Sequence, residues 1–335
     1  MNRLPAMTDE EFAGFIDSKV PDNPAIIKYL ITTRNKLKEF KNILVSYSGG
    51  SDSDIMLDLC ELVKPPTGGQ IVYMFFDTGL EWKATKRHVA DMSAKYGVEI
   101  ISQKPMKSIP VACKEYGVPF ISKEVSDKIE RLQRHGFTFD SIIASPDEVK
   151  SGSVWWNESK GKYCVSSHAY LKQYMMRTPP TFMVSSKCCN EAKKKVAHAA
   201  VKKYGIDLQM NGQRRAEGGI RSTAYSSCFS PTSKDGCASY RPLFFWSDAD
   251  KLQYKEWRSI RYSDCYEVWG FQRTGCLGCP CASKAEQELT VAQQYEPNKV
   301  KAAYAIFGQS YEYRRKYNEF KEEMKRLKKE GKLCD

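Results

Sequence analysis

The short apolar run Ile43-Leu44-Val45-Ser46-Tyr47 is broken by Ser48-Gly49-Gly50-Ser51-Asp52-Ser53 and followed by an apolar helix face begun by Ile55, Met56, Leu57 and Leu59. Strand, glycine loop and helix in that order restrict the fold more than any other stretch of the chain. A second strand, Ile71–Phe76, ends at Asp77-Thr78-Gly79 and leads into a helical stretch through residue 95, and a third, Val98–Ile101, follows. Strands alternating with helices of this length predict an α/β fold, a parallel sheet with helices on both faces. Ligands of such sheets bind outside the carboxyl ends of the strands. Both glycine-containing turns lie there.

The first loop carries the clearest chemistry. Its glycines let backbone N–H groups approach an anion that the following helix N-terminus also stabilises, so a phosphate belongs on Ser48, Gly49, Gly50, Ser51, Asp52 and Ser53. It is not the Walker pattern, which ends in Gly-Lys-Ser/Thr. Asp52 stands where that pattern has lysine, and is assigned to a magnesium ion or its waters. The bland alternative is an ordinary Ser/Gly/Asp turn. Further along, Gly212-Gln213-Arg214-Arg215-Ala216-Glu217-Gly218-Gly219-Ile220-Arg221 sets guanidinium forks, suited to phosphate or sulfate, on a glycine-rich segment. Glu217 can pin one arginine while Arg214 or Arg221 faces a ligand; the alternative is a solvated basic loop.

The chain has twelve cysteines and a formal net charge of +12. Cys188 and Cys189 are adjacent, and Cys276 and Cys279 form a CxxC in Gly-Cys-Leu-Gly-Cys-Pro-Cys. Thiols delivered as CC plus CxxC suit a [4Fe–4S] cluster better than zinc, because adjacent cysteines strain a simple tetrahedral finger. Cys60, Cys113 and Cys164, each without a cysteine neighbour, read as small buried hydrophobes. The N-terminal segment Met1–Phe12 has no apolar signal core and no apolar run approaches a membrane span, so a reducing, cytoplasmic setting is expected. The positive charge favours a polyanion, nucleic acid or a phosphorylated small molecule.

Residues 1–40 read as a helical leader, opened by a capping box of Thr8 and Glu11. Residues 41–275 form the nucleotide-binding α/β domain, interrupted over about 105–175 by a helical insertion containing Pro119, the basic stretch Lys123–Arg134 and the pair Trp155-Trp156. Thr181–Val184 and Ile206–Met210 are strand-like. Residues 276–335 carry the CxxC segment and a basic helical tail. Its Lys and Arg residues over 316–332, with Tyr311, Tyr313, Tyr317 and Phe320 among them, would track a nucleic-acid backbone and stack on bases. Alternatively they form a charged amphipathic helix that buries its aromatics.

The serine-glycine loop after one strand, Asp77-Thr78-Gly79 after the next, the CC pair, Gly-x-Arg-x-x-Glu-x-x-x-Arg, Arg241-Pro242-Leu243-Phe244-Phe245-Trp246 and Arg273-Thr274-Gly275-Cys276-x-x-Cys279-Pro280 together resemble the phosphoadenosine phosphosulfate (PAPS) reductase family of PP-loop proteins. The resemblance covers residues 41–282. It implies an adenine nucleotide α-hydrolase-like fold, a nucleotide at the strand ends, and a cluster on Cys188, Cys189, Cys276 and Cys279, as in iron–sulfur adenylyl-sulfate reductases. Two departures matter. Those reductases have a degenerate phosphate loop, whereas this chain has the full form of ATP-cleaving members. They also use a cysteine in a C-terminal Cys-Gly-x-His motif, and Cys334 in Lys-Leu-Cys-Asp lacks both the glycine and the histidine. The combination looks more like DNA-phosphorothioation sulfur-transfer proteins and tRNA thiolation enzymes.

The resemblance therefore implies ATP-dependent sulfur transfer to a nucleic acid or nucleotide, with Mg2+ and a sulfur-donor protein such as a cysteine desulfurase. Asp52, Cys281 and Cys334 are the candidate catalytic residues; Cys281 lies two positions past a ligand and is not needed to complete the four. Two other readings stand beside it: a sulfonucleotide reductase in which Arg214 and Arg221 grip sulfate, and a non-catalytic nucleotide- and cluster-binding subunit of a complex.

Overall fold

The structure, a computed structural model, describes residues 5–134, 150–157, 164–218, 224–232 and 236–332. The chain divides into two compact units, the first made of Met1–Met106 with Lys193–Thr274 and the second of Lys107–Ala192 with Gly275–Asp335. The segment between residues 107 and 192 thus shares a unit with the C-terminal segment.

Numbered along the chain, the first unit contains α1 (Asp9–Lys19), α2 (Pro24–Glu39), β1 (Asn42–Tyr47), α3 (Ser51–Val63), β2 (Gln70–Phe76), α4 (Lys83–Tyr96) and β3 (Ile100–Gln103). After the break come α10 (Lys195–Lys203), β4 (Leu208–Met210), β5 (Phe229–Ser230), β6 (Ala238–Tyr240), α11 (Asp248–Trp257) and α12 (Asp264–Glu267). The sheet runs β3-β2-β1-β4-β6-β5, parallel except for β5 against β6. β1 is central, and Ile43, Leu44 and Val45 are wholly buried, as a strand covered on both faces requires. β3 starts two residues later than its apolar pattern suggests. Gly97 is left-handed and Val98 N–H still closes the α4 terminus on the Ser93 carbonyl, so sheet pairing begins at Ile100.

Thr8 and Glu11 do form the capping box of α1, at 3.2 and 2.7 Å. α3 is buried on nearly every face, yet carries three acids at helical spacing. Asp54 accepts from Tyr47 Oη at 2.5 Å, Asp58 from Tyr96 and Tyr254, and Glu61 from Tyr73. Each buried carboxylate thereby keeps a hydrogen-bond partner, without which its burial would be prohibitive.

The second unit is helical: α5 (Ile109–Tyr116), α6 (Lys123–Arg134), α7 (Lys150–Asn157), α8 (Leu171–Arg177), α9 (Lys187–Cys189), α13 (Ala285–Tyr295) and α14 (Pro297–Lys329). Of the strand-like stretch Thr181–Val184, only Val184 pairs, in a parallel bridge with Val118. The core of this unit joins Phe120, Ile129, Trp155, Trp156, Leu171 and Tyr174 to Tyr313 and Tyr317 of α14. The tail aromatics are therefore packing residues, with Tyr317 Oη donating to Ala169 O at 2.8 Å, and Tyr313 and Tyr317 are not available to stack on bases.

Candidate functional site

One candidate site grows from the end of β1. Gly49 has φ +67°, and a Cβ there would stand 2.8 Å from Thr85 Cγ2, so only glycine makes this turn without strain. The turn delivers Ser51 to the first position of α3. Ser53 Oγ closes the loop, donating to Gly50 O at 2.7 Å and accepting from Gly50 N–H at 3.0 Å and Ser48 Oγ at 3.1 Å. Ser51 and Ser53 are buried; Ser48 is exposed at the mouth.

Asp52 is held by two cations. Its Oδ1 accepts from Arg214 Nε at 2.9 Å and lies 2.7 Å from Lys251 Nζ. Lys251 Nζ also donates to Ser51 Oγ at 2.6 Å. Lys251, on α11, is a loop partner that the sequence reading missed; a basic residue four positions past the helix-capping Ser247 was the only signal. Arg214 is buried, its fork taken up by Asp52, by Asp248 at 2.9 Å and by the Trp246 carbonyl at 3.4 Å. Burial pulls its pKa down, but the two carboxylates win and hold the guanidinium above its ordinary value. Glu217 Oε2 accepts from Arg214 N–H at 3.2 Å. Arg221 lies outside the described residues. Two phenols complete this side: Tyr266 Oη is 3.0 Å from Thr274 Oγ1, and Tyr262 Oη is buried without a hydrogen-bond partner near Asp52 and Asp54.

Asp77, Thr78 and Gly79 follow β2. Asp77 pairs with Lys86 at 2.6 Å and accepts from Gly79 N–H at 2.9 Å. Burial would raise its pKa, but those donors hold it below the usual carboxylate value. Thr78 gives its N–H and hydroxyl to Glu81, at 2.9 and 2.6 Å.

The thiols belong to the second unit. Cys188 and Cys189 sit on one short helical turn that passes into a π-helical stretch, Asn190–Lys194. Such a widened turn changes the direction of successive side chains and recurs at functional sites. Cys276 and Cys279 are turned together by Cys279 N–H on Cys276 O at 3.1 Å, with Gly278 at φ +70° between them. α14 grips this loop by its carbonyls: Tyr311 Oη donates to Gly278 O, and Arg314 Nη1 to Pro280 O at 2.9 Å and Ala282 O at 3.3 Å.

Cys188, far from Cys279 in sequence, lies within electrostatic reach of it and of Cys189. The neighbouring Cys279 thiol and then burial raise the Cys281 thiol pKa. Burial first, then Cys279, push buried Glu288 up to about 7. Among the described residues no three Cys, His, Asp or Glu side chains close on a single-ion point. The CC and CxxC turns offer an all-sulfur donor set, the kind of ligand that an iron–sulfur cluster takes. Cys334 lies outside the described residues.

A serine-glycine loop at the carboxyl end of the central parallel strand, with glycine-containing turns after the first two strands, defines a PP-loop type of α/β fold. The family profile of the phosphoadenosine phosphosulfate reductase domain matches residues 42–143 and 150–282, and the chain belongs to that family. An uncharacterized protein of Methanocaldococcus jannaschii is 36% identical over 93 residues, 28% of this chain and 18% of that protein. An adenosine 5'-phosphosulfate reductase of Neisseria meningitidis is 23% identical over 173 residues, 52% of this chain and 62% of that enzyme. The chain thus spans less than two thirds of either curated relative. Among solved structures, a phosphoadenylyl-sulfate reductase from Candida auris aligns with TM-score 0.42 at 15% identity, over 81% of this chain and 97% of that one. No helix among the described residues is long and apolar enough to cross a membrane.

Proposed function

We propose that this chain is an ATP pyrophosphatase that adenylates an acceptor oxygen and then replaces it with sulfur, the acceptor being a nucleic acid or nucleotide. The observation that carries the reading is the undegraded loop Ser48–Ser53 closing β1, with Lys251 on Ser51 and Asp52. A sulfonucleotide arrives already adenylated and needs no cradle for pyrophosphate; ATP does. Its phosphates would meet the N–H groups that open α3. Lys251 would turn from Asp52 to the more highly charged phosphates, and Asp52, kept in line by Arg214, would face the magnesium ion or its waters. Asp77, Thr78 and Gly79 would border the nucleotide at the end of the next strand.

Attack by the acceptor oxygen on the α-phosphorus forms a P–O bond and breaks the bond to pyrophosphate. Sulfur then displaces AMP, which departs with that oxygen. Cys188, Cys189, Cys276 and Cys279 would hold a [4Fe–4S] cluster, which when bound supplies a one-electron redox group. Tyr311 and Arg314 fix the carbonyls of the CxxC loop, and Cys281 is the thiol best placed to handle sulfur beside it. A net charge of +12 supports a polyanionic acceptor. An anaerobic ATP–pyrophosphate exchange assay across nucleic-acid and nucleotide acceptors tests the reading: exchange that vanishes in Asp52→Asn is expected, and its absence with every acceptor overturns it. The name of the Neisseria relative favours a second reading, reduction of a sulfonucleotide, which thioredoxin-dependent sulfite release would mark.

A further inference from the structure

Lys251 reaches the Ser48–Ser53 loop from α11, and the same face of α11 makes a second, deeper contact with α3. Tyr254 Oη donates to Asp58 Oδ2 at 2.7 Å, and Arg258, which caps the C-terminus of α11, gives the same carboxylate its Nε at 2.9 Å and its Nη2 at 3.2 Å. Tyr96 Oη of α4 donates to Oδ1 at 2.6 Å. Asp58 is 1% exposed and Tyr254 wholly buried, so these bonds lie in an interior where each is stronger than in water. The spacings match. Lys251 to Arg258 and Ser51 to Asp58 are each seven residues, two helical turns or roughly 10.5 Å, so α3 and α11 run in the same direction with Lys251 at Ser51 and Arg258 at Asp58. A slip of one turn would bring to Ser51 either Asp248, a carboxylate, or Lys255, which is already paired with Glu267 at 2.9 Å.

We propose that Asp58 is a positioning residue of the nucleotide site: through Tyr254 and Arg258 it locks the register of α11 on α3, and that register holds Lys251 at Ser51 and Asp52. The proposal rests on the reading that Lys251 meets the phosphates of ATP. Asp58 itself touches no ligand, since it lies two turns beyond the loop. A lysine fixes little by itself, because an ammonium on a flexible four-carbon stem accepts many geometries, whereas the fork of Arg258 on a buried carboxylate accepts few. On the same reading Lys251 leaves Asp52 when phosphates arrive, so α11 needs a hold that the exchange does not break. The Asp58 clamp is such a hold. The side-chain bonds of Asn23 to Asp250 and Gln253, both at 2.8 Å, tie α11 to the start of α2 instead and lie nearer solvent.

The test is a double-mutant cycle on the full chain: wild type, Arg258→Met, Lys251→Met and the double variant, each titrated calorimetrically with a non-hydrolysable ATP analogue and magnesium, and each unfolded in denaturant. Arg258→Met leaves Asp58 its two phenol donors. Nucleotide affinity is expected to fall roughly tenfold in Arg258→Met and to recover little in Arg258→Lys, whose point charge cannot reproduce the fork. In the double variant it should be no weaker than in Lys251→Met alone, while the stability lost with Arg258 is the same in both backgrounds. Wild-type affinity in Arg258→Met, or losses of affinity that multiply in the double variant, would overturn the proposal and leave Asp58 a packing residue. Should Arg258→Met not fold, Tyr254→Phe, which keeps the ring in the core, takes its place in the cycle with the same outcomes. A wild-type chain that binds no nucleotide would sink the ATP reading on which the proposal rests, a result distinct from both.

Discussion

The Ser48–Ser53 loop and the thiol loop are built with the same two devices, a left-handed glycine at the turn and side chains reaching in from segments later in the chain, but they apply them to different atoms. At Ser48–Ser53 the visiting groups, Lys251 and Arg214, bind side chains that a ligand would need, Ser51 and Asp52. At Cys276–Cys281 the visitors, Tyr311 and Arg314, bind main-chain carbonyls. On the proposed reading a nucleotide would displace protein contacts that hold the loop's charge in balance, whereas a metal group would be added to thiols whose loop is already braced. The first arrangement favours reversible binding; the second favours a resident group.

The comparison is broken most sharply at the cysteines. In Cys276→Ser plus Cys279→Ser, complete loss of bound iron is expected with nucleotide affinity unchanged, read by iron analysis and calorimetry on anaerobic protein; full iron retention would remove these two from the ligand set. Next in size is Asp52→Asn, for which ATP cleavage is expected to vanish at undiminished iron content. Cleavage at the parent rate would reduce the loop to a turn.

Lys251→Met sharpens the same contrast. A charge-assisted contact contributes about 1.5–3 kcal/mol, so nucleotide affinity should fall roughly ten- to a hundredfold, with partial recovery in Lys251→Arg. Unchanged affinity would leave Lys251 as a brace for Asp52 alone. Smallest is Tyr317→Phe, which removes the hydrogen bond to Ala169 O and should lower stability by about 1 kcal/mol in denaturant unfolding. Nucleic-acid affinity should not change.

Much of the first unit was legible in the sequence because its signals are local. Apolar runs followed by glycine turns mark β1 and β2, and the loop residues adjoin one another, so their place at the strand ends follows from chain order. The α/β class, the capping box of α1 and the alternation of strands and helices all have this character. Lys251 was not legible. It lies on a helix that begins well after β6, and nothing in Asp248–Trp257 says which side chain returns to β1. The acids of α3 were hidden for a related reason: Asp54, Asp58 and Glu61 resemble a solvated face until the sheet and neighbouring helices supply the phenols that let them be buried.

The sequence by itself determined the local chemistry of this protein: a serine-glycine loop between strand and helix, a CC and a CxxC rich in thiols, and a basic helix near the end. Composition and spacing are enough for that, since turns, caps and helix faces depend on residues close together in the chain. Only the tertiary structure decided how those parts are used. It filled the fork of Arg214 with Asp52 and Asp248, brought Lys251 to Ser51, and buried Tyr313 and Tyr317 of the tail in a core with Trp155 and Trp156. Such pairings join residues far apart in sequence, and burial, which makes each of them strong, exists only once the whole unit has folded.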